Sequence, residues 1–150
     1  MTHIPLADPR RKATRLSVER LSDGFGVRTR VMAQVEILER RGTLTPRQAR
    51  AGVRIYQAWA LGIMGARDAD ATGNGSDPGG YSDVQLDEAR VYREIRDAVG
   101  PRLWPAVFAC ACEDMSPARW ANERGRGLHK AAAVEIVRIG LDIAADLLGD

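Results

Sequence analysis

The sequence predicts an all-α protein. It reads as a compact domain of about six helices with a helix-turn-helix-like unit at its C-terminal end and a flexible mid-chain linker. Three observations carry that expectation. Apolar residues recur at spacings of three and four along most of the chain. No segment shows convincing strand alternation, and Gly and Pro divide the rest into helix-sized pieces. The length, 150 residues, suits one domain with its own core, and 45% hydrophobic against 28% charged residues is a globular composition.

Residues 1–26 mix Pro5, Pro9, Gly24 and Gly26 with basic side chains and no clear period. They read as a basic flexible arm, with a short helix near Leu16–Leu21. A first helical block spans 27–64. Its first helix is expected from Val27 to Arg41, with Val31, Val35 and Leu38 on one face and Gly42 at its end. The second helix opens at Thr45, with Pro46 in the first helical position and Gln48 completing a capping box, and runs to about Met64. Its inner face is read as Ala49, Val53, Tyr56 and Ala60, widened by Ile55, Trp59 and Ile63.

Residues 65–81 carry Gly73, Gly75, Pro78, Gly79 and Gly80 among Asp and Ser, which marks a flexible linker. The second helical block spans 82–150. Ser82 and Gln85 form another capping box, and Val84, Val91, Ile95 and Ala98 follow helical spacing up to Gly100-Pro101. A helix from about Leu103 to Glu113 tolerates Pro105 only in its first turn. Ser116-Pro117 starts a short helix that stops before Gly125-Arg126-Gly127. The last helix is expected from about Leu128 to Leu148, with Ala132, Ile136, Ile139, Ile143 and Leu147 inward and Glu135, Arg138, Asp142 and Asp146 wet.

The composition excludes several classes. No run approaches the roughly 20 apolar residues of a membrane span, and the N-terminal stretch lacks a signal-peptide core. A cytoplasmic protein without membrane association is the expectation. Two cysteines give no disulfide framework. The net charge is only +2, but it is unevenly spread: residues 1–54 carry 12 basic and 5 acidic groups, 55–100 carry 4 and 8, and 101–150 carry 6 and 7. Of the 22 basic residues only Lys12 and Lys130 are lysine. A basic front third rich in guanidinium forks points to an anionic partner.

Two constellations fit such a partner. The short helix, the Gly125–Gly127 turn and the long last helix have the spacing of a helix-turn-helix, whose second helix presents its N-terminal residues to bases. Here those are Leu128, His129 and Lys130, with Arg124 and Arg126 in the turn; an ordinary helical corner with a solvated basic turn is the competing reading. Arg47, Arg50 and Arg54, three and four apart, share one helix face. With Arg10, Arg11, Lys12 and Arg15 of the arm they could track a phosphate backbone. A solvated helix face is the plainer reading for the stripe alone.

Other features carry less. Cys110 and Cys112 are two apart on a helix and cannot readily chelate one ion, so they read as small core residues. Asp68, Asp70, Thr72 and Gly73 copy the start of a calcium loop, but Gly79 stands where a bidentate Glu is required. His3 and His129 are the only histidines, and no nucleophile elbow or P-loop occurs. Trp59, Trp104 and Trp120 sit in apolar helical patterns and read as core. No enzyme, cofactor or metal is expected.

The run from Val99 through Trp104-Pro-Ala-Val107, then Cys112, then Met115-Ser-Pro-Ala-Arg-Trp-Ala121, then Lys130 through Ala144, resembles an alphaproteobacterial all-helical domain of unknown function. That domain occurs in helix-turn-helix regulators, including activators of gene transfer agents, which are domesticated phage-like particles. Leu44 through Gly52, with Tyr56 and Trp59 behind it, is similar to the family's first helical block. The resemblance covers about residues 30–148. The last block is also similar to the helix-turn-helix of sigma-factor region four. The resemblance implies a transcription regulator that binds double-stranded DNA or contacts RNA polymerase, with Arg124, Arg126, His129 and Lys130 facing DNA. The alternative is a protein-interaction module that docks on RNA polymerase or serves phage-type assembly or packaging.

Overall fold

A computed structural model describes residues 16–20, 27–31, 33–65 and 82–150. Its body is all-helical, as the sequence predicts. Six helices follow in order: α1 (Gln34–Arg40), α2 (Pro46–Ala58), α3 (Asp83–Val99), α4 (Trp104–Ala111), α5 (Pro117–Arg124) and α6 (Lys130–Leu148). A π-helical segment, Trp59–Met64, continues α2 without a break. Before the helices stand two antiparallel strands, β1 (Leu16–Arg20) and β2 (Val27–Val31), paired from Leu16 with Val31 to Arg20 with Val27. The basic-arm residues Arg10, Arg11, Lys12 and Arg15, the calcium-loop look-alike and, apart from Gly65, the expected linker lie outside the described residues.

The two strands correct two expected helices. The short helix near Leu16–Leu21 is β1, and the first helix begins at Gln34 rather than Val27. Val27-Arg-Thr-Arg-Val31 alternates with a period of two and is rich in β-branched residues, which suit a strand. The helical spacing of Val31, Val35 and Leu38 masked that alternation.

Local chemistry explains the helix starts. The Thr45 side chain accepts from the Gln48 backbone N–H at 3.1 Å, and the Gln48 side chain accepts from the Thr45 N–H at 2.9 Å. Ser82 and Gln85 make the same reciprocal pair on α3. Ser116 caps α5 with Pro117 in its first turn. α1 has no cap of its own. Its first N–H, on Gln34, donates to Asp114 Oδ1 at 2.7 Å, from the α4–α5 connection 80 residues away. Asp114 holds a positive φ of 56° there, a conformation that Asp tolerates better than most residues.

α6 is the central helix. It packs against α2, α3, α4 and α5, while α1 leans on α2 and α4 and the π segment lies on α3. Its buried face is Ala133, Val137, Gly140, Leu141, Ala144 and Ala145. Small residues predominate because neighbours approach closely: a Cβ at Gly140 would stand 2.3 Å from Val107 Cγ2. The expected inner set is therefore rotated. Ile139 and Leu147 are each 48% exposed, and Ala132, Ile136 and Ile143 are half-buried at the margin.

α2 is rotated in the same sense. Ala49, Ala51, Gly52, Ile55 and Ala58 face the core, whereas Val53 and Tyr56 are 38% and 48% exposed. On α3 the buried set is Ala89, Tyr92, Ile95 and Val99, and Val84 and Ala98 face solvent. Trp59, Trp104 and Trp120 all pack against the core, Trp59 meeting Phe108 edge to face at 5.7 Å between ring centroids.

Candidate nucleic-acid interface

The α2 arginines lie on one side of the helix, and each is held by carboxylates of another element. Arg54 makes a two-pronged pair with Glu88 of α3, at 2.6 and 2.9 Å. Arg50 grips Asp150 through Nε and Nη2, at 2.9 and 3.2 Å. Arg47 bonds Asp146, donates from Nε to the Asp150 carbonyl oxygen at 2.7 Å and stands 3.6 Å from Asp142. Gln48, buried beside them, donates to Asp142 at 3.1 Å.

This lattice answers an electrostatic problem in α6. Asp142 and Asp146 sit in its last turns and Asp150 just beyond, where the helix dipole disfavours negative charge. Guanidinium groups from α2 neutralise them. The hydrogen bonds from Arg50 hold the Asp150 carboxyl below its ordinary range. That contribution is present at neutral pH and is lost as pH falls through the lowered value. Glu88 lies 34 residues from Arg54, and the aspartates about a hundred from Arg47 and Arg50, so sequence periodicity could not find them. Acidic residues at a helix C-terminus were the available signal.

The α5–α6 corner is different. Arg124, at the end of α5, is paired with Glu113 at 2.8 and 3.1 Å, which lowers the pKa of the Glu113 carboxyl. The chain then turns through Arg126 and Gly127, both at positive φ, 49° and 84°. The turn closes by a Leu128 N–H to Gly125 carbonyl bond of 3.0 Å. His129 caps α6, its Nδ1 accepting from the Ala131 N–H at 3.1 Å. Arg126, His129 and Lys130 are exposed, and Arg126 and Lys130 have no partner among the described residues.

The eleven nominated basic residues thus divide three ways. Arg47, Arg50, Arg54 and Arg124 form intramolecular ion pairs. Arg126, His129 and Lys130 crowd one exposed corner. Arg10, Arg11, Lys12 and Arg15 lie outside the described residues. The corner has helix-turn-helix order, and α6 is also the central helix of the core, so its first turn is the part that lies beside the turn.

Two further features bear on chemistry. An open groove of about 650 Å³ lies where α1 ends and α2 begins, lined by Glu36, Glu39, Arg40 and Thr45 among others. It holds no thiol or imidazole. Cys110 and Cys112 are both buried, and burial pushes each thiol up to about 12, with Asp114 and Glu113 respectively adding to the effect. At pH 8 such a thiol is thiolate in roughly one molecule in 10⁴. The folded protein is expected to react with a thiol reagent orders of magnitude more slowly than the denatured chain. Native labelling at the denatured rate would contradict this placement. Among the described residues there is no group of three His, Cys, Asp or Glu able to hold a metal ion, and no helix is long and apolar enough to cross a membrane.

No protein-family model matches the chain, and neither a curated protein nor a solved structure is significantly similar to it.

Proposed function

We propose that this protein is a transcription regulator that binds double-stranded DNA, acting on phage-like or gene transfer agent genes as its resemblance implies. The observation that carries the reading is the α5–α6 corner. It presents unpaired Arg126 and Lys130 beside the first turn of α6, while Arg47, Arg50, Arg54 and Arg124 are occupied by carboxylates. A helix N-terminus with exposed cations suits a phosphate, and its first residues can reach base edges. Arg10, Arg11, Lys12 and Arg15 would add phosphate contacts. The α2 arginines are secondary: their pairs are partly exposed, exposed pairs are worth about 0–1 kcal/mol, and a phosphate could exchange for a carboxylate.

Binding to duplexes from the chain's own genomic neighbourhood, measured across salt concentrations, tests this. Arg126→Ala and Lys130→Ala are each expected to weaken binding. Loss of a phosphate contact lowers the salt slope by about one, whereas loss of a base contact costs about 1–3 kcal/mol at the cognate site alone. Binding indifferent to both changes would refute the corner as the contact.

A second reading, docking on RNA polymerase or an assembly factor, is favoured by one observation. Val53 and Tyr56 of α2 and Leu61 of the π segment are exposed large apolar residues on consecutive turns. Recovery of polymerase subunits from nuclease-treated lysate, lost on Tyr56→Ala, would support it over the first.

A further inference from the structure

Most carboxylates of the helical body already have a cation. Those of α5 and α6 and Asp150 pair with arginines, as do Asp87, Glu88, Asp97 and Glu113. Glu39, Asp83 and Glu94 have no ion-pair partner among the described residues. Asp83 stands in the first turn of α3, where the helix dipole favours negative charge, and Glu94 has Arg90 one turn before it.

Glu39 has neither advantage. It lies in the last turn of α1, the end that disfavours an anion, and Glu36 stands one turn before it as a like charge. Arg50 feels its field, but the hydrogen bonds of that guanidinium go to Asp150. Glu36 and Glu39 both line the open groove between α1 and α2, where they outnumber the one arginine, Arg40. A Cβ at Gly42 would meet nothing within 4 Å, so the groove is open beside that residue.

We propose that this groove is the docking site of the chain's own basic arm, with Arg10, Arg11 and Lys12 set against Glu36 and Glu39. Two observations select that occupant. The first is charge. Residues 10–15 hold four basic side chains and no acidic one, the complement of a groove wall with two carboxylates.

The second is the tether. The strands are antiparallel and Leu16 pairs with Val31, so the chain before Leu16 leaves the hairpin beside the residue that leads into α1, and heads the same way. From Val31 to Glu39 there are three residues before α1 and five along it, a path of about 17 Å. Arg11 stands five residues before Leu16, which extended chain also covers in about 17 Å. The arm cations and the groove carboxylates are thus equally far from one strand pairing.

Exposed ion pairs are weak one by one, but a short tether makes the contact intramolecular, at an effective concentration in the millimolar range. The arm is then held by carboxylates until a stronger polyanion displaces it. That last step rests on the DNA-binding reading, whereas the docking does not.

Trypsin cleaves after each arm cation, so its rate reports the docking. At low salt the arm of the full chain is expected to be cut roughly three- to tenfold more slowly than a free peptide of residues 1–16. About 1 M salt, with a Debye length of about 3 Å, is expected to abolish the difference. Glu39→Lys, at an exposed position, is expected to bring cleavage to the peptide rate with Tm at or slightly above wild type. Glu94→Lys, the same charge change on α3, is expected to keep the protection. A nitroxide on Ala13→Cys, specific because Cys110 and Cys112 are buried, is expected to broaden the amide signals of Gly42 and Thr45 equally at about 20 and 200 µM. Cleavage of the wild type at the peptide rate, or equal protection in Glu39→Lys, would overturn the proposal. Broadening that fades on dilution would do so too, by making a second copy the donor of the arm. No DNA enters either measurement, so failure of the DNA reading and failure of the docking are separate results.

Discussion

Replacing Gly62 by Ala is expected to destabilise the protein by about 3 kcal/mol and lower Tm by roughly 6–12 °C. A Cβ at this position would stand 2.3 Å from the Ala89 backbone N and 2.6 Å from its Cα. These are main-chain atoms of α3, so no rotamer change relieves the contact, and the π segment must lift off α3. Helix propensity argues the other way, by about 1 kcal/mol in favour of Ala. The clash should win because it separates two elements at a backbone-to-backbone contact. Gly65→Ala is the control. Its nearest neighbours lie 3.4 Å away, at ordinary contact, so the same exchange three residues on is expected to be neutral or slightly stabilising. Thermal unfolding followed by circular dichroism gives both values. A Gly62→Ala variant as stable as wild type would mean that the π segment does not meet α3 as described.

The close contact at Gly62 also shows where sequence reading stops. Helix starts are local chemistry, so Thr45 with Gln48, Ser82 with Gln85 and the adjacent Ser116 and Pro117 were legible from residue types within three positions of one another. The six helices follow from these signals and from the Gly and Pro between them. The π geometry of Trp59–Met64 has no comparable signature. The segment packs on α3, and the sequence reads simply as helix to Met64.

Orientation was harder than existence. On α2 and α6 more than half the circumference is apolar or small, and pattern reasoning assigns the larger residues to the core. The structure assigns the smaller ones, because α6 has four helices around it and close approach leaves room for Ala and Gly. Val53, Tyr56 and Ile139 are consequently outside. The same locality limits the site. Arg47, Arg50 and Arg54 were recognisable as one stripe, but a stripe does not reveal its partners, and Glu88, Asp146 and Asp150 arrive through the fold. The α5–α6 corner was legible since its two helices and the turn between them are contiguous in the chain.

Leu141 and Ile139, two residues apart on α6, should respond to truncation in opposite measure. Leu141 is 0% exposed, in the cluster that includes Ile55, Val107 and Val137. Leu141→Ala removes buried methyl groups and leaves a cavity in the middle of the fold, so a loss of about 3 kcal/mol, within a 2–5 range, is expected. Since ~1 kcal/mol shifts the Tm of a chain this size by about 2–4 °C, the drop should be roughly 6–12 °C. Ile139 is half exposed and loses far less on truncation, under about 1 kcal/mol. Reading the period alone reverses the order, because it places Ile139 inside. Denaturant titration of both variants checks this. Equal losses would place the two side chains in equivalent surroundings and contradict the central packing of α6.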